Sequence, residues 1–247
     1  MPKLHFDYHS VAGDYQYQAM HKGIPMQRFW HKGKLIAWDE LISPMISGNL
    51  KYPIVEVGCG AGLLLEHLAP LAQMKIGVDI NTQALTFLSN RFGQLNQKGL
   101  FFPISAFGEM LPFADNYFGG LILSEVIEHL HDPKLILQEA YRVLRPGGWC
   151  YLTTPNYRSF WPVMEKILDI SGLTPRMSGA QHVNLFNQKK LIDHLKSWQI
   201  ELVTSFYFFS PFLSIFSEKS GIWLLRKECK ANIKWGMLLA CLVRKPI

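Results

Sequence analysis

The stretch that decides the fold is Ile54-Val55-Glu56-Val57-Gly58-Cys59-Gly60-Ala61-Gly62-Leu63. A short apolar run enters three glycines spaced two apart, and an apolar segment follows. Glycine lets a backbone turn sharply and approach a ligand closely. The pattern therefore reads as a strand over Ile54–Val57, a ligand-facing turn, and a helix over Leu63–Leu71 that ends near Pro70. A nicotinamide dinucleotide fingerprint needs a small residue where Leu63 stands, because its spacing is GxGxxG/A. Here the spacing is GxGxG, with Glu56 two positions before the first glycine. A carboxylate there is a poor neighbour for a pyrophosphate and a good one for an ammonium group. Asp79 closes a second strand, Lys75–Asp79, 21 residues after Gly58, where a carboxylate can take both hydroxyls of a ribose. The cofactor implied is a nucleoside with an amino-acid end and no phosphates.

Outward from this turn the rhythm continues. A helix is expected over Thr82–Phe92, a third strand over Phe101–Ile104 and a fourth over Gly120–Leu123. Asp132-Pro133 opens a helix with an aspartate cap and a proline in the first turn. It runs to about Leu144 and is stopped by Arg145-Pro146-Gly147-Gly148. Trp149–Thr153 is a fifth strand. Strands alternating with helices at this spacing indicate an α/β fold with a doubly wound, mostly parallel sheet. Residues 1–52 lack a clean period, although Lys34–Ile46 fits a helix. Beyond the fifth strand, a helical stretch is expected around Val163–Ile170 and another over Gln188–Lys196. A strand at Ile200–Phe209 then leads through an aromatic turn to a last strand near Trp235–Val243.

Composition narrows the class. Of 247 residues, 49% are apolar and 18% charged, with a formal net charge of +6, which excludes a disordered chain. Four cysteines are too few for a disulfide scaffold. The N-terminus has no apolar h-region of a secretory signal. The uncharged run Leu202–Ser217 is shorter than the roughly 20 apolar residues a spanning helix needs and holds Pro211. A reducing, cytoplasmic setting is expected. The charge is uneven: residues 54–201 carry 12 basic and 13 acidic side chains, and the last 46 residues carry seven and two. Nucleic acid is thus a weak inference from +6, and a lipophilic acceptor or peripheral membrane contact is a stronger one.

Three further blocks extend the glycine turn: Gly108-Glu109-Met110-Leu111-Pro112-Phe113-Ala114-Asp115, Ser124-Glu125-Val126-Ile127-Glu128-His129-Leu130, and Arg142-Val143-Leu144-Arg145-Pro146-Gly147-Gly148 followed by Thr153-Thr154-Pro155-Asn156. In this order and spacing, over roughly residues 54–155, the chain resembles the class I S-adenosylmethionine-dependent methyltransferases, of the type 11 or ubiquinone-biosynthesis O-methyltransferase kind. The resemblance implies a Rossmann-like, seven-stranded, mostly parallel sheet with an antiparallel last strand. It implies one domain over residues 1–247: a helical lid (1–52), a cofactor-binding core (53–155), an acceptor-side insertion (156–199) and a C-terminal hairpin (200–247). It also implies S-adenosylmethionine as cofactor. Gly58, Gly60 and Gly62 would line it beside Glu56, Asp79 would bind its ribose, Ile80 would lie against the adenine, and Ser124 would meet the methionine end through its backbone. Many relatives carry an aspartate for the adenine amino group where this chain has Phe107, an aromatic ring suited to covering the adenine face.

Glu125-x-x-Glu128-His129 stands just beyond a central strand. If the segment is helical, Glu125 meets Glu128 and His129 on one face. Crowded carboxylates repel, and a divalent cation such as magnesium stabilises both charges. The block resembles two magnesium-associated branches of the superfamily, the ubiquinone O-methyltransferases and the small-RNA 3′-end methyltransferases. In the latter a further histidine completes the site, and His182 is the matching candidate. The metal ligands would then be Glu125, Glu128, His129 and His182. The alternative is a metal-free polar site; in either case His129 leads for the acid–base role, with Glu128 and His182 beside it. His131 beside Asp132 is expected at the surface, and His5, His9 and His21 have no assigned role. Arg28, Trp30, Lys32 and Lys34 are either a lid over the cofactor carboxylate or a solvated helix face. In the tail, Phe212, Ile215, Phe216, Ile222, Trp223 and Leu224, followed by Arg226, Lys227, Lys230 and Lys234, are either core or a surface for membrane or a greasy substrate. The function expected is methyl transfer to an oxygen of a small lipophilic acceptor, a catechol or diol if a metal assists. An RNA 3′-terminal methyltransferase and a non-catalytic cofactor-binding subunit are the rivals.

Overall fold

The computed structural model describes residues 6–46, 51–68, 74–93, 100–172 and 181–247. Pro70, His5 and residues 173–180 of the insertion lie outside the described residues. The strands are β1 (Ile54–Val57), β2 (Lys75–Asp79), β3 (Phe101–Ser105), β4 (Phe118–Ser124), β5 (Leu144–Pro155), β6 (Gln199–Phe206) and β7 (Leu238–Arg244). They form one sheet in the order β3-β2-β1-β4-β5-β7-β6. Every neighbouring pair is parallel except those of β7, which runs antiparallel to both β5 and β6. β1 and β4 are buried along almost their whole length. Their near-continuous apolar sequences, with β-branched residues in β1, suit strands covered on both faces. The strand order reverses between β1 and β4, and open sheets of this kind bind ligands beyond the carboxyl ends of the strands at such a point.

The helices are α1 (Tyr15–Lys22), α2 (Pro25–Leu41), α3 (Ser43–Ile46), α4 (Leu63–His67), α5 (Thr82–Gly93), α6 (Pro133–Val143), α7 (Trp161–Ser171), α8 (Gln188–His194), α9 (Ser210–Phe216) and α10 (Glu218–Lys230). α6 starts where its cap is written, the Asp132 side chain accepting from the Lys134 N–H at 3.0 Å, and buries Ile136, Leu137, Ala140 and Val143. α2 begins nine residues before the expected Lys34. Phe29, Gly33, Ala37 and Leu41 recur at i+4 and form its buried face.

Two expectations are corrected. Arg145–Gly148 ends α6 but does not form a free loop: these residues bulge out within β5, between the pairings Phe118–Leu144 and Gly120–Trp149. In the tail, β6 and β7 do pair, but α9 and α10 stand between them in place of an aromatic turn. Tyr207, with φ of 64°, leaves the strand, and Pro211 suits the first turn of α9. The Ser217 hydroxyl caps α10 by accepting from Ser220 N–H. Buried Glu228 closes the unit, accepting from the N–H groups of Phe208, Phe209 and Ser210 and from the Ser210 hydroxyl at 2.7–3.1 Å.

Candidate active site

The glycine turn is held by backbone geometry. Gly58, Gly60 and Gly62 have φ of 72°, 49° and 70°, a left-handed region costly for residues with a Cβ. Gly58 and Gly60 line a cavity of about 350 Å³, a size suited to a small molecule. Gly62 serves packing instead. A Cβ there would lie 2.2 Å from Leu88 Cδ1, so the glycine allows α4 and α5 to come close. Asp79 ties the turn to the end of β2, Oδ2 accepting from Gly60 N–H at 2.7 Å and Oδ1 from Asn81 N–H at 2.8 Å. Burial raises its pKa against the pull of these N–H groups. Each oxygen keeps a lone pair for a further donor. Asp79, Ile80, Phe107 and Ser124 all line the cavity.

Glu56 is placed differently. It is buried under the turn and is not among the residues lining the cavity. Burial pushes its carboxyl up to about 8, against the Lys34 charge and a Leu65 N–H bond. Among the described residues its Oε2 has no hydrogen-bond partner.

The roof comes from the N-terminal segment. Tyr8, Gln16, Trp30, His31 and Lys34 line the cavity, and Gln16 Oε1 accepts from Ala61 N–H at 3.3 Å. Of the four basic and aromatic residues singled out on α2, Trp30 and Lys34 face inward. Arg28 instead donates to the Gly23 carbonyl, and Lys32 pairs with Glu218 at 2.6 Å. The far end of the cavity is apolar, with Trp161, Met164, Leu168, Pro211 and Met237.

Beyond β4, Glu125 has φ of 56° and a 3-10 turn covers Ile127–His129, so the segment is not a regular helix. This corrects the expected grouping of Glu125 with the other ligand candidates. Its carboxylate is bonded by Lys34 Nζ from the roof. Burial acts to raise its pKa, but the charge and hydrogen bond of Lys34 outweigh it and the net shift is down.

Glu128, His129 and His182 do converge, one ligand atom from each lying within 4.8 Å of the others. The chain brings them together by backbone bonds: Val183 and Asn184 N–H both donate to the Glu128 carbonyl, at 3.0 and 2.9 Å. His129 Nδ1 lies 3.0 Å from the Gln181 carbonyl. A carbonyl only accepts, so Nδ1 carries the proton and Nε2 presents a lone pair, 4.0 Å from Glu128 Oε1. Burial and the neighbouring His182 push the His129 pKa down to about 4, so the ring is neutral at cellular pH. His182 Nδ1 lies 2.5 Å from Glu165 Oε1. Burial alone would lower the His182 pKa, but the hydrogen bond to Glu165 and the nearby glutamates raise it. Glu128 is fully buried, and among the described residues neither oxygen has a hydrogen-bond partner. Burial pushes it up to about 7, with His182 pulling down and Glu125 adding to the rise.

Sequence reading missed His31, Gln16, Tyr157 and Glu165 at this site. A signal existed for Glu165, the one carboxylate in the Trp161-Pro162-Val163-Met164-Glu165 stretch of a helix with an otherwise apolar inner face.

A glycine turn tied to an acidic strand end, with a cavity at the switch point of a β3-β2-β1-β4-β5-β7-β6 sheet, is the architecture of a class I, Rossmann-like methyltransferase. Residues 55–152 match the family model described as "Methyltransferase domain", and the fold is that of the Rossmann-like class I methyltransferases. The mitochondrial ubiquinone biosynthesis O-methyltransferase of Rattus norvegicus is 29% identical over 127 residues, 50% of this chain and 37% of that protein. The Bos taurus protein of the same name is 31% identical over 198 residues, 78% of this chain and 51% of that protein. The chain thus spans about a third to a half of the length of these curated relatives. Among solved structures, an S-adenosylmethionine-dependent methyltransferase of Thermotoga maritima superposes with a TM-score of 0.66 at 19% identity, over 96% of this chain and 97% of that one. At that identity the likeness is one of fold.

Proposed function

We propose that the protein transfers the methyl group of S-adenosylmethionine to an oxygen of a small lipophilic acceptor. The observation that carries this reading is the meeting, in one cavity, of the glycine–Asp79 cradle and the Glu128/His129/His182 cluster, with an apolar end beyond them. The cradle fits the cofactor: Gly58 and Gly60 line the cavity in left-handed conformations that bring bare backbone to its surface, and Asp79 has acceptor capacity for a ribose. When bound, S-adenosylmethionine supplies an electrophilic methyl group on a sulfonium. Asp79 would hold the ribose hydroxyls, Ile80 and Phe107 would flank the adenine, and the roof residues of α2 would keep water out. His129, neutral and with a free Nε2, is placed to take the proton of the attacking hydroxyl. Trp161, Met164 and Leu168 would orient the apolar part of the acceptor, and such alignment is most of what methyl transfer needs. The O-methyltransferase activity named for the relatives supports oxygen as the accepting atom.

The cluster also fits a divalent cation. A buried carboxylate with two unpartnered oxygens faces two imidazoles, each held at Nδ1 by a second residue, as metal-ligating histidines are. Such a cation would lower the pKa of a catechol or diol hydroxyl. Glu128, His129 and His182 would hold it, without Glu125.

A membrane surface as the source of the acceptor is supported by the outer face of the same region. Ile170, Phe209, Phe216 and Trp223 are 60–87% exposed, and Trp223 shares a shallow groove with Lys219, Arg226, Lys227 and Lys230.

The test is methyl transfer from labelled cofactor to a panel of catechols and lipophilic phenols. Asp79→Ala is expected to abolish cofactor binding by calorimetry, and His129→Gln to retain binding and lose about 10²- to 10⁴-fold in turnover. Absence of cofactor binding by the wild-type protein would end this reading.

A further inference from the structure

α7 carries its inner face on Trp161, Met164, Glu165 and Leu168, positions i, i+3, i+4 and i+7. Three of these line the cavity. Glu165 occupies the same stripe and is buried to 4% exposure. A carboxylate in such a place is costly unless it is hydrogen-bonded. Its partners show what it does there. Oε1 lies 2.5 Å from His182 Nδ1 and accepts from the Tyr157 hydroxyl at 2.7 Å, and that hydroxyl is itself 2.9 Å from His182 Nδ1. The Tyr157 proton is spent on Glu165, so His182 must donate from Nδ1 to this pair of oxygens. Nε2 is the nitrogen left for Glu128 and His129, whose ring centroid is 5.1 Å from that of His182.

We propose that Glu165, braced by Tyr157, is a positioning residue that fixes the His182 ring and tautomer, so that the acceptor-side helix α7 sets the geometry of the catalytic cluster. Trp161, Met164 and Leu168 meet the bound molecule, and Glu165 on the same rigid stripe couples their placement to His182. The inference rests on the proposed function for its catalytic consequence, but the ring geometry can be read without any methyl transfer.

The experiment is long-range ¹H–¹⁵N correlation of the histidine rings in the ¹⁵N-labelled full chain, with His182 assigned from His182→Gln. In the wild type, His182 Nδ1 is expected to carry the proton. In Glu165→Leu the ring is expected to lose that fixed tautomer, and kcat to fall about 10- to 100-fold, with the affinity for S-adenosylhomocysteine unchanged. Glu165→Gln is expected to keep the Nδ1–H tautomer, because the amide oxygen still accepts, and to move the Nδ1–H proton resonance upfield; it also serves if Glu165→Leu does not fold. A wild-type ring protonated only at Nε2, or a His182 signal unchanged in both Glu165 variants, would overturn the proposal. If the tautomer moves as expected while the wild-type protein methylates none of the acceptors, the positioning role stands and the assigned chemistry is what fails.

Discussion

Two buried glutamates have opposite surroundings. Glu228 accepts four hydrogen bonds at the start of α9, whereas Glu128 accepts none among the described residues. Removing a satisfied acceptor leaves its donors stranded, at about 1–3 kcal/mol. Glu228→Ala should therefore lower the urea midpoint, while Glu128→Gln should leave the ligand-free protein at least as stable as the wild type. The same Glu128→Gln change should abolish binding of Mn²⁺ or Zn²⁺ by calorimetry if the cluster holds a cation. Glu56 gives a pH signature. Its ordinary pKa of 4.5 is raised to about 8 in the fold, so between those values the native state holds a proton that the unfolded chain has released. Stability therefore falls as pH rises through this window and levels off above it. Glu56→Gln should remove that dependence, and thermal melts should show its advantage over the wild type growing from pH 5 to pH 8. At this scale the sequence was partly legible. The motif brought Glu128 and His129 together, and a resemblance added His182. It was silent on the diversion of Glu125, because Lys34 is 91 residues away and reaches it only through the packing of α2.

Among the elements, the α2 roof rests on a small residue. A Cβ on Gly33 would lie 2.5 Å from Tyr207 Oη and 3.0 Å from Leu225 Cδ2, and the Tyr207 hydroxyl donates to the Trp30 carbonyl one turn away. Gly33→Val should overpack this contact at about 1–3 kcal/mol. Chemical denaturation should show the loss, and the affinity for S-adenosylhomocysteine should fall with it, because Trp30, His31 and Lys34 would be lifted from the cavity. Elements with caps and a clear period, such as α5 and α6, were legible to within a residue or two. α9 and α10 were not. The run from Phe206 to Phe216 is aromatic on every side, and apolar runs without alternation do not tell a strand from a helix. Only the Ser217 cap and the Glu228 carboxylate, met across a turn, settle the matter.

For the whole molecule, no helix among the described residues is long and apolar enough to cross a membrane. The proposed contact with lipid is therefore one of surface. Sedimentation with vesicles of phosphatidylglycerol should retain the protein and phosphatidylcholine vesicles should not. Raising salt should weaken retention as the basic residues of α10 are screened. Phe216→Ser combined with Trp223→Ser should reduce it further without changing cofactor affinity, and retention unaffected by both salt and these changes would speak against the surface.

The position of β7 bears on how the protein is made. β7 follows β6 in the chain yet lies between β5 and β6, so β6 has no strand partner until residues 238–244 have left the ribosome. The Tyr207–Trp30 bond that steadies the roof joins residues 177 apart, and Tyr207 directly follows β6, the strand that β7 holds in the sheet. Such distant pairings make folding slow and leave partly made chains with exposed apolar surface. A nascent chain stalled before residue 238 would carry the complete glycine turn and Asp79 without a braced roof above them. Capture of the cofactor thus becomes a check on the placement of β7, and ribosome-bound chains of increasing length should gain it in one step, as β7 emerges.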